Sequence, residues 1–164
     1  MRKRYLTRNP AQTRELGENL AKEILRTKSA KKILRKSNFP AGQALVIGLE
    51  GDLGGGKTTF LQGFAKGLGI REKILSPTFI IFRRFEIKGL NFKNFCHIDC
   101  YRIKKPREIL GLGFKEAFSN PQNIITVEWA KRIRQILPKN VIILKFQFID
   151  KTTRKITIKI SKKP

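Results

Sequence analysis

The stretch ALVIGLEGDLGGGKTTF, residues 44–60, decides the fold. Ala44 to Leu49 is a short apolar run, and directly behind it Gly51-Asp52-Leu53-Gly54-Gly55-Gly56-Lys57-Thr58 matches G-x-x-x-x-G-K-[ST], the phosphate-binding loop. A triphosphate is a compact polyanion that a ring of backbone N–H groups can hold. Such a ring needs a tight loop free of Cβ atoms, hence three consecutive glycines. Thr58 to Leu68 predicts the helix whose positive end completes the cradle, with Gly69 placed to stop it. Leu53, Gly54, Gly55, Gly56, Lys57, Thr58 and Thr59 are therefore the nucleotide-binding candidates. Lys57 reaches the β and γ phosphates as a point charge, and the Thr58 hydroxyl is a hard oxygen ligand for Mg²⁺.

Around this loop the elements alternate. Asn9-Pro10 predicts an N-cap and a first helical proline, and Leu16, Leu20 and Ile24 make one apolar face up to about Arg26. Residues 27–40 form a basic insertion that either prolongs this helix or links it to the first core strand. After the loop helix come strands at Ile80–Phe85 and Phe92–Ile98, separated by a turn at Lys88-Gly89. Short helical turns follow at Leu110–Phe118, then a strand at Ile124–Val127 and a helix at Ala130–Leu137. Val141–Phe148 and Arg154–Ile160 predict a closing hairpin around Asp150–Thr153. The pattern predicts an α/β fold of the phosphate-loop type, a three-layer sandwich with a mixed, largely parallel central sheet.

With 164 residues, 40% of them hydrophobic, the chain is expected to form a single domain over 1–164. No apolar run reaches the ~20 residues that span a bilayer, and Met1-Arg2-Lys3-Arg4 leads into polar sequence, so a cytoplasmic location without membrane contact is expected. Cys96 and Cys100 flank His97, but on a strand Cys96 and His97 point to opposite faces. Reduced, buried thiols are the expectation. Lys and Arg number 36 against 12 acidic residues, a formal charge of +24. Two readings stand for that excess: a footprint for RNA or an acidic partner, and a solvated basic surface.

Hydrolysis needs a carboxylate near Mg²⁺ and a group that positions water. Asp99 follows Phe95-Cys96-His97-Ile98 and Glu128 follows Ile124-Ile125-Thr126-Val127, so each ends an apolar strand at the edge where α/β sheets bind ligands. Ser76-Pro77-Thr78 stands between the loop helix and the next strand, where a nucleotide-sensing switch would stand.

The ordered set of motifs, from Gly51-Asp52-Leu53-Gly54-x-Gly56-Lys57-Thr58-Thr59 through Ser76-Pro77-Thr78-Phe79 and His97-x-Asp99-x-Tyr101-Arg102 to Val127-Glu128-Trp129, strongly resembles the TsaE family. These are bacterial P-loop ATPases of tRNA threonylcarbamoyladenosine biosynthesis. The resemblance runs from about Thr13 to about Ile160. It implies an ATP- and Mg²⁺-dependent ATPase working with TsaD and TsaB, supporting modification of adenosine 37 in ANN-decoding tRNAs without carrying out the transfer. It also implies that Thr58 and Glu128 hold Mg²⁺, that Lys57, Asp99 and Thr78 serve hydrolysis, and that Thr13 and Arg154 flank the nucleotide base. Trp129, the only tryptophan, reads equally as a core residue or as part of the site or partner interface. Gly55 replaces the alanine usual in that loop, and the 27–40 and 85–95 stretches are longer and more basic than the family norm.

Two other functions compete. A P-loop small-molecule kinase would need an arginine-bearing lid, for which Arg102, Arg107 and Arg132 are available. A nucleotide-gated RNA- or protein-binding module with negligible turnover would account for the +24 charge. For direct RNA contact the densest local cluster is Lys28, Lys31, Lys32, Arg35 and Lys36.

Overall fold

A strand whose two faces are both covered is apolar along most of its length, and three strands of this chain read that way. The computed structural model describes residues 2–26, 42–75, 82–88 and 91–162. In it β2 (Leu45–Glu50), β4 (Asn94–Asp99) and β5 (Asn123–Glu128) are buried almost throughout. They lie at the centre of a seven-stranded sheet ordered β1-β7-β6-β2-β5-β4-β3. β2 pairs in parallel with both β5 and β6 (Asn140–Phe148), and β4 pairs in parallel with β5. The flanks are antiparallel: β3 (Phe82–Glu86) on β4, β7 (Arg154–Lys162) on β6, and β1 (Arg2–Thr7) on β7.

Helices α1 (Pro10–Leu25) and α2 (Lys57–Gly67) cover one face of the sheet. A 3₁₀ segment (Pro106–Leu112), the short helix α3 (Phe114–Ser119) and a second 3₁₀ turn (Ala130–Ile133) cover the other. Helix α1 starts as its sequence predicts, with the Asn9 side chain accepting a hydrogen bond from the Gln12 N–H at 2.9 Å and Pro10 at the first helical position. Its most buried positions are Thr13, Gly17, Ala21 and Ile24, one step round from the predicted stripe. Leu16 and Leu20 pack at the margin. The shift follows from glycine. A Cβ at Gly17 would strike the Phe60 carbonyl, and one at Gly63 the Arg14 carbonyl, so the two helices touch backbone to backbone at these positions. Beneath them Phe60, Phe64, Phe95 and Phe146 form an aromatic layer, with Phe60 and Phe146 edge to face at 5.6 Å.

Three elements differ from the sequence expectation. The polar start Arg2–Thr7 is a strand: Tyr5 faces the core while the charged side chains face solvent, which is how an edge strand looks. The helix expected over Ala130–Leu137 is a single 3₁₀ turn to Ile133 followed by non-helical turns. The helical stretch before β5 begins earlier than expected, at Pro106. The basic insertion, 27–40, and the Ser76-Pro77-Thr78 segment lie outside the described residues.

Candidate nucleotide-binding site

Because β2 runs parallel to β5 and β5 to β4, the carboxyl ends of all three strands meet at one edge. Leu49 pairs with Glu128 and Glu128 with Asp99 in register. Two residues after Leu49 the chain turns through the loop. Gly54 and Gly56 sit at φ 71° and 94°, in the left-handed region that only glycine adopts cheaply, and helix α2 starts at Lys57 with Gly56 as its N-cap. The result is an open cleft of about 270 Å³, lined by Leu53 to Thr59, Glu128, Trp129, Thr13 and Arg154. All the nucleotide candidates read from sequence thus converge on one place, with Glu128 among them. Thr78 lies outside the described residues.

Lys57 is buried, and its ammonium donates to the carbonyls of Gly51 and Asp52, each at 2.7 Å. Burial pulls its pKa below the usual lysine value, opposed by the negative charges of Glu128, Asp52 and Asp99. The same Nζ lies 4.4 Å from the centroid of the Trp129 ring. Trp129 is held at φ 58°, ψ 36°, and it is the only non-glycine residue with positive φ among those described. A bulky side chain in that region costs of order 1–3 kcal/mol, and such strain gathers at functional sites. The Tyr101 ring lies 5.2 Å from it, tilted by 51°, and Arg132 lies over both rings while donating to the Ile103 carbonyl at 3.0 Å. Trp129 thus lines the cleft and also packs against the core cluster on the face of the 3₁₀ turns, so both of its sequence readings keep support.

Asp99 is 6% exposed, and its Oδ1 accepts from the Tyr101 N–H at 2.8 Å, so the carboxylate is fixed by the first turn after β4. Glu128 is 2% exposed, and its Oε1 accepts from Nε2 of the wholly buried His97 at 3.0 Å. His97 was not among the residues chosen from the sequence as part of the site. Its signals in the sequence are its place at the head of the motif His97-x-Asp99-x-Tyr101-Arg102 and its spacing two residues before Asp99, which on a strand puts both side chains on one face. Beside it, Thr126 Oγ1 and His97 Nδ1, on residues paired in register, are buried without hydrogen-bond partners.

On the far side of the loop Arg154 donates from Nε and a terminal nitrogen to the Gly54 carbonyl at 3.2 and 3.1 Å, and packs 4.5 Å over the Phe148 ring. Thr13 is tied to Thr7 by a 2.8 Å hydroxyl contact, and Thr13 and Arg154 would both lie in van der Waals contact with a Cβ on Gly56. Cys96 and Cys100 are free, buried on the opposite face of the sheet, and pushed up by burial to about 11 and about 12, so they carry no thiolate at neutral pH.

Among the described residues no cluster of three or more His, Cys, Asp or Glu could cage a metal. One carboxylate and one hydroxyl beside a phosphate cradle fit Mg²⁺, which keeps waters and takes its remaining ligands from substrate phosphates.

Fold and cleft together define a phosphate-loop α/β protein with two carboxylates at the strand ends beside its loop. The family model for "Threonylcarbamoyl adenosine biosynthesis protein TsaE" matches residues 7–156, and the chain belongs to the TsaE family. A relative from Haemophilus influenzae, named tRNA threonylcarbamoyladenosine biosynthesis protein TsaE, is 33% identical over 108 residues, 66% of this chain and 66% of its own length. One of the same name from Bacillus subtilis is 44% identical over 94 residues, 57% of this chain and 56% of its own. The chain thus spans about two thirds or less of these two relatives' length. The crystal structure of Bacillus subtilis YdiB is similar with a TM-score of 0.69 and 28% identity, covering 99% of this chain and 86% of that one.

Proposed function

We propose that this protein binds ATP with Mg²⁺ in the cleft and hydrolyses it, and that this activity serves threonylcarbamoyladenosine formation in tRNA alongside TsaD and TsaB. The observation that carries the reading is the register of Glu128 with both Leu49 and Asp99, which puts two buried carboxylates at the sheet edge from which the phosphate loop springs.

In this reading the loop N–H groups and the start of α2 hold the phosphates. Lys57 exchanges its two carbonyl partners for phosphate oxygens, a swap of neutral for charge-assisted hydrogen bonds. Thr58 and Glu128 hold the cation, which when bound neutralises charge on the transferred phosphoryl group. Asp99, fixed by the Tyr101 N–H, orients the attacking water. Thr13 and Arg154 border the outer end of the cleft and receive the nucleoside.

Lys57→Ala tests this directly. Loss of a charge-assisted contact in a partly shielded site costs about 3 kcal/mol in the transition state, and phosphate release should fall on the order of 100-fold or more. Near-normal ATPase activity of the variant, with TsaD and TsaB present, would sink the assignment.

A further inference from the structure

In an antiparallel sheet, paired residues project to the same side, and three registers of this sheet stack basic residues on one face. Across β1, β7 and β6 the rows are Arg2–Lys159–Ile143, Arg4–Thr157–Lys145 and Leu6–Lys155–Gln147. Ile143 packs with the cluster that the 3₁₀ segments cover, so these side chains stand on the face opposite α1 and α2. Arg2, Arg4, Lys145 and Lys159 are exposed and Lys155 is half-exposed, while Thr157 between them is 6% exposed beneath their stems. Arg134 borders the patch through Glu50, whose carboxylate oxygen is 4.0 Å from its guanidinium.

Glu50 is the one acidic residue in these rows and on the neighbouring strand β2. Glu50 pairs in register with Lys145; the other acidic residues of the chain lie on α1, in the 3₁₀ segment, on α3 or in loops and strands elsewhere, and Asp150, at the hairpin tip, is turned back onto the Thr152 and Thr153 N–H groups. Charging an edge strand protects it from pairing with other chains. That accounts for Arg2 and Arg4. It does not account for Lys145 and Lys159, which sit on strands paired on both sides. The spacing is also regular, about 4.8 Å between strands and about 6.8 Å between same-face residues along one. A flat lattice of cations at that pitch suits a chain of phosphates better than the scattered carboxylates of a protein surface.

We propose that the open face of β1, β7 and β6 is an RNA-backbone docking surface, separate from the nucleotide cleft. The proposal rests on the tRNA-linked function above only for the identity of the RNA. Binding here is electrostatic and carries position instead of sequence: the lysine and arginine heads pair with phosphates and release counterions, and no base need be read.

The test is binding of an unmodified tRNA transcript by fluorescence anisotropy over a salt series, with the wild-type chain, R4Q/K145Q/K159Q, and a charge-matched control K104Q/K105Q/K115Q outside these three strands. Three lost phosphate contacts at about 0.7 each make the slope of log affinity against log salt shallower by about 2, and weaken binding on the order of 100-fold at about 0.1 M salt. The control should keep the wild-type slope. Equal losses in both triple variants, or no tRNA binding by the wild type, overturn the proposal. Patch-dependent binding to polyglutamate without tRNA binding overturns it in favour of an acidic protein partner. ATP hydrolysis is measured on the same three proteins. Its absence from all of them counts against the proposed activity and leaves the RNA result to stand or fall by itself.

Discussion

At the scale of single residues, Glu128, which lines the cleft, and Asp99, its partner in register on the next strand, have different supports, and the supports assign different work. Glu128 is held side chain to side chain by His97, whereas Asp99 is held by the backbone N–H two residues further on. If Glu128 serves the cation, Glu128→Gln weakens Mg²⁺-dependent nucleotide binding. Asp99→Asn leaves binding nearly intact and lowers kcat, because orienting water matters in the transition state. Nucleotide titrations with and without Mg²⁺, run beside steady-state kinetics, separate the two, and the reverse pattern exchanges the roles. His97 adds a sharper expectation. His97→Leu takes the donor from a buried carboxylate oxygen, which costs about 1–3 kcal/mol in stability and raises the Mg²⁺ needed for half-saturation. His97→Gln, which keeps an amide donor, should recover part of the Mg²⁺ affinity. A His97→Leu protein with unchanged Mg²⁺ dependence would reduce the pair to packing. The loop, Asp99 and Glu128 were legible because glycine runs and strand-end acids leave a mark in one dimension. His97 was not, since a lone histidine in an apolar run reads as core until its neighbour on the next strand is known.

At the scale of elements, the contact of α1 with α2 depends on what is missing from Gly17 and Gly63. A methyl group at Gly63 meets the Arg14 carbonyl, part of a rigid helical backbone that cannot turn aside as a side chain would. Gly63→Ala should therefore cost about 1–3 kcal/mol despite the better helix propensity of alanine. Urea unfolding measures it, with the midpoint moving down and the slope unchanged; a rise in midpoint would show that the helices can part without loss. The same contact explains why the apolar stripe Leu16, Leu20, Ile24 located the helix but misjudged its inner face. Periodicity counts large apolar side chains, and here the closest approach is made by residues with none. Strand β1 escaped for the converse reason: Arg2-Lys3-Arg4 reads as a solvated tail, and only its pairing with β7 makes it a strand. The helix expected after Trp129 failed because that residue leaves β5 in a left-handed conformation and the chain manages one 3₁₀ turn.

For the whole molecule, the sheet separates two chemistries. The face bearing α1 and α2 ends at the cleft, and the other buries both thiols among Ile98, Ile109 and Phe114. With Cys96 and Cys100 protonated at neutral pH and enclosed, reaction with an aromatic disulfide reagent should be negligible in the native protein and rise only as the fold opens. Following thiol release through a urea titration should trace the same transition as circular dichroism. Fast labelling of both thiols in native buffer would mean that this face of the sheet opens on its own. The central order of strands was readable from sequence only as a class, since alternation of helices and strands predicts a parallel core without fixing which strand lies beside which.

The pairing of β1 with β7 has a consequence for timing. Residues 2–7 find their partners at 154–159, so during synthesis β1 has no β7 to bond with until β7 has left the ribosome. Thr7 holds Thr13 of α1, and α1 lies against the helix that carries Lys57. A nascent chain halted before Arg154 would thus own the whole glycine loop and both carboxylates, yet lack the strand that anchors β1 at the root of α1.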